Sequence, residues 1–195
     1  MARIRGGAQV FGGFLVARQL SNLCDSADGT ATIAFAQVGD PNYTLYCNQT
    51  QFDIPFRTQI KLGGTYPLPY GFNISGTFQS YPGTRNYGSG ATAFDYLQQT
   101  YQVPANLLTP GQATETVNLN TPGSLYLPRW NQLDLRFARK FNMPHGGYWQ
   151  LQADVFNALN THPLLAVGTL YGGALGTPTQ ALQPRILTLG GQLHF

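Results

Sequence analysis

The chain has 195 residues, of which only 10% are charged, against about 25% in an ordinary soluble domain. A net charge of +3 without a Lys/Arg run argues against a nucleic-acid surface, and no apolar run reaches the roughly 18 residues of a helical membrane span. Aromatic residues make up 13% and mean hydropathy is -0.16, a balance that suits strands with one apolar and one polar face.

In chain order, Met1-Ala2-Arg3-Ile4-Arg5 followed by Ala8 to Ala17 imitates the basic and apolar regions of a signal peptide. Gly6, Gly7, Gln9, Gly12 and Gly13 interrupt it, so the segment reads as a first strand, about Ala8 to Leu20, with Met1 as an accidental or truncated start. Cys24 and Cys47 bracket a stretch rich in Asp, Gly, Ser and Asn. Two cysteines around one polar loop of an exported protein point to a disulfide, with two free thiols as the alternative. Closing about 24 residues would stabilise by roughly 3 kcal/mol through chain entropy.

A second strand runs about Phe56 to Tyr66, where Ile60, Leu62 and Tyr66 alternate with Arg57, Gln59 and Lys61. The third, Gly71 to Tyr81, alternates Phe72, Ile74 and Phe78 with Asn73, Ser75, Thr77 and Gln79. In the fourth, Trp130 to Phe141, Leu133, Leu135, Phe137 and Phe141 alternate with Gln132, Asp134, Arg136 and Lys140. The fifth, Tyr148 to Asn157, sets Trp149, Leu151, Ala153 and Val155 against Gln150, Gln152 and Asp154. The sixth occupies Arg185 to Phe195. Leu187, Leu189, Leu193 and Phe195 share one face, and the chain stops on an aromatic residue of that face. Leu189, Leu193 and Phe195 have the form of the C-terminal assembly signal of an outer-membrane barrel.

Short turns at Pro67–Tyr70 and Asn142–Gly147 alternate with long connections over residues 21–55, 82–129 and 158–184. Short periplasmic turns and long outer loops are the outer-membrane pattern. A structureless loop of 48 residues would be out of place in a compact soluble domain. The fold expected is all-β: an antiparallel up-and-down transmembrane β-barrel segment of about six strands. Arg57, Gln59, Lys61, Gln132, Asp134, Arg136, Gln152 and Asp154 then face the lumen. Leu133, Leu135, Phe137, Leu151, Val155, Leu187, Leu189 and Leu193 face lipid. Tyr66, Phe72, Phe141, Trp149 and Phe195 fall at one depth as an interfacial girdle. Arg139 is the one charge expected on the lipid face, snorkelling toward headgroups. The alternative is a secreted antiparallel β-sandwich, a binding or adhesion module with one wet face per sheet.

Chemistry is sparse. His145, His162 and His194 lack ligand spacing, so no metal or cofactor is expected, and no catalytic group. Asp134 and Asp154 are each expected to pair with Arg136, Arg57 or Lys61. Gly88-Ser89-Gly90 lacks the strand–turn–helix context of a nucleophile elbow. Tyr81, Tyr87, Tyr96, Tyr101, Tyr126 and Tyr171 lie in or beside the long loops. They can stack on sugars or siderophore rings, or pack on one another to shield the rim, and the second reading is favoured.

The stretches Phe52 to Tyr70, Arg129 to Phe141, Gln152 to Asn160 and the terminal strand resemble the C-terminal barrel of TonB-dependent outer-membrane receptors. Among these they are most similar to the large Oar-like group of Acidobacteria and relatives. Asp154-Val155-Phe156-Asn157 followed by Asn160 is the motif of the penultimate strand in that family. The resemblance implies uptake of a scarce or bulky substrate, such as a siderophore or oligosaccharide, across the outer membrane. It implies as partners outer-membrane lipid, the barrel-assembly machinery, the remainder of a 22-stranded barrel with its plug, and TonB. Residues 1–195 are therefore expected to be a single C-terminal portion of such a receptor barrel, without plug or TonB box. The substrate-binding residues are not readable from the sequence.

Overall fold

The computed structural model describes residues 2–3, 6–22, 24, 43–83, 96–108, 110, 114–144 and 146–195. It contains eleven strands: β1 (Ala2–Arg3), β2 (Gln9–Ala17), β3 (Arg57–Pro67), β4 (Phe72–Tyr81), β5 (Thr100–Val103), β6 (Glu115–Asn118), β7 (Trp130–Asn142), β8 (Tyr148–Phe156), β9 (Leu164–Val167), β10 (Pro178–Ala181) and β11 (Ile186–His194). Seven form one antiparallel sheet in the order β1-β2-β3-β4-β7-β8-β11. Its six long members are the six segments in which apolar residues recur at every second position.

The two tight turns have local causes. Between β3 and β4, the Leu68 amide donates to the Phe72 carbonyl at 2.8 Å. Tyr70 and Gly71 both take positive φ, 64° and 77°. A Cβ on Gly71 would stand 2.8 Å from the Lys140 carbonyl oxygen, so the turn nests against β7 only with glycine there. Between β7 and β8, the Met143 amide donates to the Gly147 carbonyl at 2.8 Å, with Gly146 at φ 91°. His145 lies outside the described residues.

The sheet is open. Among the described residues β11 pairs with β8 alone, and the opposite edge carries only the two-residue β1. The fold is thus all-β and antiparallel, but no closed ring of strands forms. Nor does a second sheet cover it. Appreciable contact between elements runs between paired strands, and otherwise from β7 to the turn at Pro69–Gly71. The two-sheet core that a sandwich requires is absent from the described residues, in which no large side chain is fully buried. Phe14 is 78% exposed, Leu189 76% and Phe195 102%.

Apart from Ala8, Ala138 and Asp154 on the sheet, most of the burial lies toward the loop end. Cys47, Gln49, Ile54, Tyr96 and Leu127 are buried where the first two long connections meet. The expectation of a structureless 82–129 loop is corrected: β5 and β6 pair within it, and β9 and β10 pair within the last connection. These ribbons join, with the Thr100 amide donating to the Thr169 carbonyl at 2.9 Å and the Tyr171 amide to the Thr100 carbonyl at 2.7 Å. Loop carbonyls and amides that would otherwise be orphaned at a rim find one another this way. Cys24 and Cys47 are joined by a disulfide with Cα atoms 4.9 Å apart. Beside it the Gln49 amide donates to the Ser21 carbonyl, tying the end of the first loop to its start.

Candidate functional site

Antiparallel register decides which residues share a face, because directly opposed residues point the same way. Leu193 opposes Trp149, Trp149 opposes Phe141, Leu187 and Leu135 oppose Val155, and Phe78 opposes both Leu133 and Leu62. One face therefore runs apolar across all six long strands, from Val10, Phe14 and Val16 on β2 to Leu187, Leu189 and Leu193 on β11. It carries no Asp or Glu.

The opposite face is polar. Lys61 opposes Gln79, which opposes Gln132; Asp134 opposes Thr77; Arg136 opposes Asp154; Gln152 opposes Ala138; Arg57 and Gln59 sit in the same alternation on β3. All eight residues expected on one wall are on this face. Their pairing is only partly as expected. Arg136 grips Asp154 through two bonds, Nε to Oδ1 at 2.6 Å and Nη2 to Oδ2 at 3.1 Å, a bidentate pair. Among the described residues Asp134 makes no ion pair: it accepts from the Gln132 amide group at 2.9 and 3.0 Å and from the Asn157 backbone amide at 2.9 Å. The β8 strand ends there, and that unpaired amide needs an acceptor more than Arg136, already satisfied, needs a second carboxylate.

Asn157 is the hub that composition could not reveal. It is 3% exposed and takes φ 49°, which asparagine tolerates better than most residues. Its side-chain nitrogen donates to the Thr161 carbonyl at 2.9 Å and the Gln183 carbonyl at 2.8 Å, and its oxygen accepts from the Thr161 amide at 3.1 Å. Thr161 Oγ1 donates to the Asn131 carbonyl at 2.6 Å. Asn160, also at positive φ, accepts from the Arg185 amide. The Asp154-Val155-Phe156-Asn157 stretch and Asn160 thus act as a clamp, fastening the exit of β8 to β7 and to the entry of β11.

Aromatic residues line the end of the apolar face near the short turns. Phe141 stacks on Trp149 at 4.5 Å. Arg139 does not simply reach outward: its guanidinium lies 4.6 Å from the ring centres of both Phe72 and Phe141, held between them by cation–π attraction. The line is stepped. Tyr66 opposes Ile74, Phe72 opposes Arg139 two residues further along, Phe141 opposes Trp149 two further again, and Phe195 lies two beyond Leu193. Such a regular slide from strand to strand is what a single level looks like on strands tilted by about 40°.

Near the loops, the polar face also carries rings. Tyr81 stacks on Trp130 at 4.6 Å, Lys61 Nζ sits 5.2 Å from the Tyr81 ring, and Arg57 lies 4.1 Å over Tyr126. Tyr101 meets Tyr171 edge-on at 5.9 Å, and Tyr96 accepts from Gln49 at 3.0 Å. Tyr87 and Gly88-Ser89-Gly90 lie outside the described residues. His194 stacks on Tyr148 at 4.4 Å, far in sequence from His162. Two features of this face escaped the sequence. Phe11 and Leu15 of β2 stand on it, because β2 alternates apolar with apolar, and the Phe11 ring occupies the space a Cβ on Gly63 would need. Comparison of the chain with protein-family models, with curated proteins and with solved structures found no match.

Proposed function

We propose that this chain is wall: part of an outer-membrane β-barrel whose apolar face meets lipid and whose polar face lines the lumen. The observation that carries the reading is the apolar face itself. It spans six strands, is covered by nothing among the described residues, lacks any carboxylate, and ends at a stepped aromatic line. In water such a surface would far exceed the apolar patch a soluble monomer tolerates. In a bilayer it is the surface that strands must present. Its two free edges then require further strands, since unpaired backbone is not tolerated in hydrocarbon.

The resemblance to TonB-dependent receptors supplies the rest of the proposal. The chain is the C-terminal portion of a receptor in the outer membrane, inserted there by the assembly machinery. Strands and a plug from elsewhere in the receptor complete it, and TonB drives it. The polar wall and looped mouth would admit a substrate too bulky or scarce for porins.

Two tryptophans test the lipid assignment. Trp149 lies on the apolar face near the turns, and Trp130 on the polar face near the loops. With the whole protein folded into vesicles of brominated lipid, the quenchable fluorescence is expected to fall in W149F and to be unchanged in W130F. Quenching that survives W149F and is lost in W130F would reverse the faces and refute the proposal.

A further inference from the structure

The polar wall is interrupted at the middle of β2 by two apolar side chains. Phe11 and Leu15 are both half exposed there, beside Gln59, Lys61, Thr77 and Gln79. Between them, on the same face, stands Gly13. A Cβ added to Gly13 would meet nothing within 4 Å, and its φ is not positive. The missing side chain therefore leaves an open notch, in a backbone conformation that any residue adopts. A plain polar wall needs neither feature: apolar area left in water costs free energy, and glycine weakens a strand.

The register supplies the surroundings. Gly13 opposes Lys61, Leu15 opposes Gln59, and Phe11 opposes Gly63, with Thr77 and Gln79 one strand further on β4. The Phe11 ring lies over Gly63 and so leans across the floor of the notch on its turn side. These residues border an open cavity of about 700 Å³, a size usual for small-molecule sites. Its two sides differ in chemistry. Phe11 and Leu15 are apolar. The facing side is rich in donors: the Lys61 ammonium, 5.2 Å from the Tyr81 ring centre, the Gln59 and Gln79 amides and the Thr77 hydroxyl. Among the described residues no carboxylate lines the cavity.

We infer that this notch binds an aromatic carboxylate, its ring over Gly13 between Phe11 and Leu15 and its carboxylate turned toward Lys61. The site rests on the reading of the polar face as the lining of a watery lumen. Same-face positions on a strand are about 6.8 Å apart, so Phe11 and Leu15 stand roughly 13 Å apart along β2, room for one or two fused rings. A flat ring meets the Phe11 ring at its edge or face and crosses the glycine backbone closely, as a branched skeleton cannot. One ammonium among neutral donors matches a single negative charge spread over two oxygens. The Tyr81 ring holds the ammonium near by cation–π attraction without cancelling its charge.

The test uses the whole protein in nanodiscs of neutral lipid, with empty nanodiscs as the blank for partitioning. Equilibrium dialysis compares 2-naphthoate with 2-naphthamide, which has the same rings and no charge. Naphthoate is expected to bind about tenfold more tightly than the amide. Gly13→Phe fills the notch with a side chain that the backbone accepts, and should weaken naphthoate binding about tenfold or more at unchanged heat-modifiable mobility. Lys61→Gln should abolish the preference for naphthoate and leave amide binding within about twofold, whereas a merely structural lysine would lower both. It also decides the matter if G13F assembles poorly. Naphthoate held no better than by empty nanodiscs, full binding in an assembled G13F, or equal loss of both ligands in K61Q would overturn the site. The bromolipid measurement separates this from failure of the lumen reading. Quenching lost in W149F as expected, with no naphthoate bound, defeats the notch alone; quenching lost in W130F instead defeats the wall on which it rests.

Discussion

At the scale of single residues, the structure is held at its strand ends by a few polar side chains. Asn157 joins β8, β7 and the approach to β11 through its backbone amide, which donates to Asp134, and through its side chain, which bonds Thr161 and Gln183. Asn157→Ala removes the side-chain bonds from a buried site and leaves alanine at positive φ. The expected cost is about 2–4 kcal/mol, read by urea unfolding of the protein in vesicles. Asn157→Gly relieves the backbone but not the bonds, so it should lose less; equal losses would mean that the conformation contributes nothing. The Arg136–Asp154 pair is asymmetric, because the arginine side chain is 50% exposed and the aspartate 9%. Arg136→Ala leaves a buried carboxylate unpaired, whereas Asp154→Ala leaves a guanidinium that water can reach. The first should destabilise more, by about 1–2 kcal/mol over the second, and the reverse order in unfolding midpoints would show that the wall is drier than drawn.

At the scale of elements, period-2 alternation made the six long strands legible to within a few residues. One example is β3, expected over Phe56–Tyr66 and found over Arg57–Pro67. It worked because each strand has one apolar and one polar face, and a slip of one residue would exchange them. It was weakest at β2, expected to reach Leu20 and ending at Ala17, where Phe11 and Leu15 make both faces apolar. The loop ribbons were not legible: Thr100–Val103 and Glu115–Asn118 are four residues each and pair for want of other backbone partners. Nor was the clamp, since Gln183 is 26 residues from Asn157 and only the fold brings them together. The terminal element carries its own prediction. β11 presents Leu187, Leu189 and Leu193 on its apolar face and an unpaired outer edge, with Phe195 beyond it fully exposed. In the whole protein, deleting Phe195 should lower the amount assembled in the outer membrane, measured by heat-modifiable mobility, without changing the substrate affinity of molecules that do assemble. Unchanged assembly would show that the terminal aromatic residue has no role in insertion.

At the scale of the whole molecule, the six long strands have no core of their own. Among the described residues the sheet is open at both edges and its apolar face is bare, and most buried side chains gather toward the loop end, where Cys24–Cys47 and the joined ribbons collect the connections. That arrangement is what the proposed reading, one wall of a larger barrel, calls for. Both native cysteines are in the disulfide, so single cysteines placed from Gln132 to Lys140 along β7 can each carry a nitroxide label in the whole, folded protein in vesicles. Accessibility to oxygen, which concentrates in hydrocarbon, should peak at positions 133, 135, 137 and 139. Accessibility to a water-soluble nickel chelate should peak at 132, 134, 136, 138 and 140. A two-residue oscillation with these phases is the result expected. The opposite phase, or chelate access without oscillation, would contradict the assignment of the apolar face to lipid.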